Sequence, residues 1–123
     1  MGISELGEVQ LRFAEMIWAR APIASGELVR LCAREYGWKK STVYTVLRKL
    51  CEKGLFENDG GTVKARLTRE EYDAAKSGEL VNKRFHGSLP AFIAAFMSSH
   101  TLTPQEADEI RAMIDAYKKE TGQ

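Results

Sequence analysis

The chain has 123 residues, 44% hydrophobic and 28% charged, which suits one ordinary core plus a helical appendage and argues against a multidomain enzyme. Its two cysteines, Cys32 and Cys51, form no CxxC pair and no disulfide scaffold, so the chain reads as cytoplasmic; no secretory signal opens it, and no run reaches the roughly 18 apolar residues of a membrane span. Net charge is +1, yet from Arg30 to Arg69 ten Lys or Arg face four Asp or Glu, and from Glu70 onward six face nine. A +6 stretch followed by a −3 stretch is expected if one part meets phosphate and the other meets protein or solvent.

Ser4 is placed to cap a first helix whose inward face carries Leu6, Val9, Phe13, Met16 and Ile17, with Pro22 marking the exit. Ser25-Gly26-Glu27-Leu28 opens a second helix that turns Leu28, Leu31 and Cys32 inward and ends at Gly37. The third is expected from Lys40 or Ser41 to Lys53, stopped by Gly54, with Val43, Val46, Leu47 and Leu50 on one stripe. Two short apolar runs, from Leu55 to Asn58 and from Val63 to Leu67, bracket Asp59-Gly60-Gly61-Thr62, and paired glycines favour a tight hairpin.

Beyond Thr68 the character changes. A helix from about Glu70 to His86 is followed by a second after Gly87, in the longest apolar stretch, Leu89 to Met97, which Pro90 is expected to break. Thr103-Pro104-Gln105-Glu106 is a strong start for a last helix, with threonine as cap and Glu106 completing a capping box. The fold class is therefore mainly α with a small β-hairpin wing: a winged helix-turn-helix DNA-binding domain at 1–69, then a helical dimerisation region at 70–123. The apolar stripes of the second region, Leu80, Val81, Phe85, Leu89, Phe92, Ile93, Phe96, Met97, Ile110, Met113, Ile114 and Tyr117, are too extensive for so short a segment to hide alone, and the simplest partner is a second copy.

An α-helix fits the major groove when one face is anchored in a core and the other shows groups able to read base edges. The third helix, about 41–53, meets both demands, with Ser41, Thr42, Tyr44, Thr45 and Arg48 as candidates for base contact. Lys39, Lys40 and Lys49 suit phosphate, as do Lys64 and Arg66 in the wing, which two-residue alternation places on one side of a strand. Trp38 is expected to pack the turn against the first two helices, and Trp18 to fill the junction to the later ones. Cys32 and Cys51 fall on apolar faces and read as inert packing. Glu70 and Glu71 at a helix start offset its dipole.

Enzymatic signatures are missing: there is no HExxH, GxGxxG, phosphate loop or nucleophile elbow, and His86 and His100 lack recognisable partners. No catalytic, cofactor or metal site is expected. The alternative to a DNA reader is a winged helix that binds proteins, a role that would not require so cationic and hydroxyl-rich a third helix.

The stretch from Gly37 through Leu50, GWKKSTVYTVLRKL, followed by Glu52-Lys53-Gly54-Leu55, resembles the penicillinase-repressor family, the BlaI/MecI group, which includes copper-responsive relatives. The opening from Ser4 to Val9, Met16-Ile17-Trp18, Leu102-Thr103 and Glu109-Ile110 extend the likeness over nearly the whole chain. The resemblance implies a homodimeric repressor on double-stranded operator DNA, a palindrome with TACA and TGTA halves, and carries the family's reading positions onto Ser41, Thr42, Tyr44, Thr45 and Arg48. In antibiotic-responsive members a sensor protease cleaves an Asn-Phe bond in the dimerisation region; here that bond aligns with Ala95-Phe96, so the asparagine is replaced. The tail from Lys118 to Gln123 lacks the CxC arrangement of the copper-responsive relatives.

Overall fold

A computed structural model describes residues 6–122, so the Ser4 cap lies outside the described residues. Helix α1 (Glu8–Arg20) opens on Gly7. Glycine has no capping oxygen, and only the return half of a capping box forms, the Gly7 N–H donating to Gln10 Oε1 at 3.4 Å. Phe13, Ala14 and Ile17 are buried. Val9, expected on the same inward face, is 58% exposed, because it sits in the first turn before the core-facing run begins.

Helix α2 (Ser25–Tyr36) buries Leu28, Leu31 and Cys32 and stops at Gly37, whose φ of 67° is left-handed. Ala24, not Ser25, holds its cap position; Ser25 is the first helical residue and is itself buried. Helix α3 (Lys40–Glu52) buries Val43, Leu47 and Leu50, leaves Val46 half-buried, and ends on Lys53 as its cap residue, one position short of the expected span.

Between these helices and the next lies the wing. Strands β2 (Phe56–Asp59) and β3 (Thr62–Ala65) run antiparallel, with Asp59 opposite Thr62. Gly60 and Gly61 make the turn at φ 58° and 95°, a pair of left-handed conformations that only glycine adopts without strain. A strand not expected from the sequence, β1 (Ile23–Ala24), pairs with β3 in the order β1-β3-β2. Two residues are too few for alternation to be legible. Since β3 ends at Ala65, Arg66 follows the strand instead of alternating with Lys64 inside it.

One core joins these elements: Phe13 and Ile17 from α1, Leu28 from α2, Val43 and Leu50 from α3, then Leu55, Phe56 and Val63. Trp38 packs its ring 5.5 Å from Phe13 and 5.0 Å from Tyr36, closing the turn before α3. Helix α4 (Arg69–Phe85) contributes Tyr72 to the same core. Trp18 lies 5.5 Å from both Phe56 and Tyr72, and its indole N–H donates to Leu67 O at 2.9 Å. The start of α4 is fixed by a capping box: Thr68 Oγ1 accepts from the Glu71 N–H at 3.0 Å, and Glu71 Oε1 accepts from the Thr68 N–H at 2.8 Å.

By packing, the chain divides into two compact units, one reaching to Leu80 and one beginning at Val81. The second unit holds α5 (Leu89–Ser99) and α6 (Pro104–Thr121). Ser88 caps α5, its Oγ accepting from the Ala91 N–H at 3.1 Å. Pro90 does not break the apolar run as expected: it occupies the first turn, where its missing N–H would have had no acceptor within the helix. Thr103 and Glu106 form the expected box on α6, both bonds at 3.0 Å, with Pro104 as first helical residue. Neither α5 nor α6 contains a buried residue. No helix among the described residues is long and apolar enough to cross a membrane.

Candidate nucleic-acid interface

Helix α3 is held by one side only. Val43, Leu47 and Leu50 sit in the core, which turns Ser41, Thr42, Thr45, Arg48 and Lys49 to the exposed face. Its first turn carries no acidic residue, and Lys39, the cap residue, makes no side-chain bond to the free amides. The positive end of the helix dipole is therefore uncompensated, and Lys39 and Lys40 add two exposed cations beside it. Such a terminus favours an anion.

Among the hydroxyls, Thr45 Oγ1 donates to Ser41 O at 2.9 Å. That bond spends the proton on the helix itself and leaves the oxygen of this exposed side chain free to accept. Tyr44, expected on the reading face, is half-buried: its hydroxyl donates to Ser25 Oγ at 3.0 Å, and Lys40 Nζ lies 6.0 Å from its ring centroid. Arg48 borders an open groove of about 460 Å³ that is also lined by Tyr44, Thr45, Leu47, Cys51 and Asn58, so α3 and the wing strand β2 share one concavity.

On the wing, Lys64 Nζ donates to Asp59 Oδ2 at 2.9 Å, and this bond raises the pKa of the ammonium. The pair is solvated, so Asp59 is an exchangeable partner and not a lock. Arg66 is exposed just after β3, its backbone N–H donating to Leu55 O at 2.8 Å. Three further participants had no readable signal: Ser25, Asn58, whose Oδ1 accepts from the Gly61 N–H at 3.0 Å, and Arg69, which pairs with Glu15 across α1 and α4. Only the Thr68-Glu71 box nearby had a readable signal, the T-x-x-E spacing.

Burial pushes the Cys32 thiol up to about 11 and raises Cys51 as well, the latter opposed by a hydrogen bond with the Asn58 backbone. Both sulfurs therefore remain neutral and behave as small apolar groups. Among the described residues no group of three or more His, Cys, Asp or Glu is placed to hold a metal ion.

The candidate dimerisation residues divide by exposure. Val81, Phe85, Phe92 and Ile93 are half-buried, whereas Leu80, Leu89, Phe96, Met97, Ile110, Met113, Ile114 and Tyr117 are exposed. Leu89, Phe92, Ile93, Phe96 and Met97 of α5 line an apolar groove of about 610 Å³ with Ile110 and Ile114 of α6.

Three helices, a three-stranded antiparallel sheet with a glycine-turned wing, and an outward-facing third helix define a winged helix-turn-helix, here followed by a helical C-terminal region. The sequence profile described as Penicillinase repressor matches residues 6–116, and the chain belongs to that family of winged-helix repressors. It is similar to the penicillinase repressor of Bacillus licheniformis, at 22% identity over 120 residues covering 94% of each chain.

Proposed function

We propose that the chain is a sequence-specific DNA-binding transcriptional repressor that acts as a homodimer on a palindromic operator. The observation that carries this reading is the face of α3: Ser41, Thr42, Thr45 and Arg48 point outward from a helix whose opposite side is anchored by Val43, Leu47 and Leu50. In the major groove Arg48 pairs with a guanine edge, and the Ser41, Thr42 and Thr45 side chains offer hydroxyl oxygens and the carbon contacts that a thymine methyl favours. Lys39, Lys40, Lys49, Lys64 and Arg66 lie against phosphate and fix the register.

Dimerisation is supported by the second unit, in which α5 and α6 bury nothing and present a contiguous apolar face. A two-fold pair places two recognition helices on symmetric half-sites one helical turn, roughly 34 Å, or a multiple apart. Occupancy of the operator then blocks transcription.

A salt-dependent mobility shift on a palindromic duplex with TACA and TGTA halves tests the reading. Arg48→Ala is expected to weaken specific binding by about 1–3 kcal/mol while sparing the salt-sensitive background. Unchanged binding in both Arg48→Ala and Thr45→Ala would remove α3 from recognition. No retention on any duplex at low salt would favour a protein-binding winged helix.

A further inference from the structure

Ser25 is a buried hydroxyl side chain, at 8% exposure. Three elements meet on it. Its backbone N–H donates to Gly61 O at 2.8 Å, in the turn of the wing. Its Oγ accepts the Tyr44 hydroxyl of α3 at 3.0 Å. Asn58 Oδ1 braces the same turn by accepting the Gly61 N–H at 3.0 Å. A Cβ on Gly61 would come to 4.0 Å of Ser25 Oγ, so the turn lies in van der Waals contact with the serine.

From this knot we infer that Tyr44 is a positioning residue that acts through Ser25 to hold the wing at a set angle to α3, and is not a reader of bases. The inference rests on the DNA-reading role proposed for α3 and the wing. Phe56 and Val63 anchor the base of the hairpin in the core, while pairing of β3 with β1 extends only over Ile23–Val63 and Ala24–Thr62, so the position of the turn is set by the groups that touch it. The Ser25 bridge adds two hydrogen bonds at the tip side of that pairing, one to the turn and one to the recognition helix. With the bridge intact, Lys64 and Arg66 keep a fixed separation from Arg48, so both elements engage one duplex together. Without the Tyr44–Ser25 bond, α3 loses its direct tie to the segment that holds the turn, and the wing cations add less to binding by α3. Lys40 Nζ lies over the Tyr44 ring at 6.0 Å from its centroid, while the phenol hydroxyl is committed to Ser25.

The test is a set of single and double variants read by operator affinity and its salt slope. Tyr44→Phe keeps the ring and Ser25→Ala removes the acceptor; each is expected to weaken binding about fivefold, the equivalent of one ordinary hydrogen bond. The double variant is expected to be no weaker than either, because both cut the same link. The salt slope should fall by about one per wing cation withdrawn, and Lys64→Ala should cost affinity in the parent chain and clearly less in Tyr44→Phe. Ser25→Thr, which keeps a hydroxyl, is expected to restore the parent slope.

A change of preferred base in Tyr44→Phe, with Ser25→Ala inert, would make Tyr44 a reader and overturn the inference. Additive losses, or an undiminished effect of Lys64→Ala in Tyr44→Phe, would overturn it too. If Arg48→Ala still weakens specific binding in those cases, the DNA-reading role of α3 stands and only the bridge fails. A parent chain that binds no duplex sinks both.

Discussion

Trp18 shows how one side chain can hold a junction in two ways. Its ring packs against Phe56 of the wing and Tyr72 of α4, and its N–H satisfies Leu67 O in the intervening segment. Trp18→Phe retains an aromatic ring and deletes the donor, so it is expected to cost about 1 kcal/mol. For a domain of this size that lowers Tm by roughly 4–8 °C, measurable by circular dichroism. An unaltered melting curve would mean that the bond to Leu67 contributes nothing. At this scale the sequence revealed residue types and not roles: a tryptophan before Pro22 reads as packing, but its carbonyl partner lies 49 positions away. The same limit applied to Tyr44 and Lys64. Spacing placed Tyr44 on α3 and Lys64 on the wing, while the bond of Tyr44 to Ser25 depends on how separate helices fold together and that of Lys64 to Asp59 on the hairpin closing.

Among the elements, those defined by local chemistry were legible. Gly60-Gly61 announced the hairpin because its left-handed φ values are costly for any other residue. Thr103 and Glu106 announced α6. β1 was not legible, since its two residues become a strand only when β3 arrives alongside, and Pro90 misled because its effect depends on where the helix begins. The α6 cap also makes a pH prediction. Hydrogen bonds from the Thr103 N–H first, and then from its side chain, hold the Glu106 carboxyl below its usual range. A lowered folded-state pKa stabilises the fold above the unfolded glutamate value of about 4.3, and the contribution is lost as pH falls through the folded value. The Thr103 amide resonance is expected to shift with a midpoint below the ordinary glutamate range, and to stay still in Glu106→Gln. A midpoint at or above that range would refute the cap's electrostatic role.

Across the whole molecule, burial is distributed unevenly. The unit ending at Leu80 contains every buried residue among those described, while the unit from Val81 keeps large apolar side chains such as Met113 and Tyr117 more than half exposed. A second copy is expected to cover that surface. Phe96→Glu places a charge on an exposed position of α5, so it should leave one chain intact and hold the protein as a monomer in sedimentation at concentrations where the parent pairs. An undiminished dimer would move the interface off this face.

The bare flank of α5 and α6 has a consequence for dosage. If only the paired form grips both half-sites, then wherever single chains predominate its amount follows the square of their number, and diluting the stock twofold removes about three quarters of the active species. On the proposed homodimeric reading, a growing cell that stops making the chain would lose control of its target faster than it loses the protein.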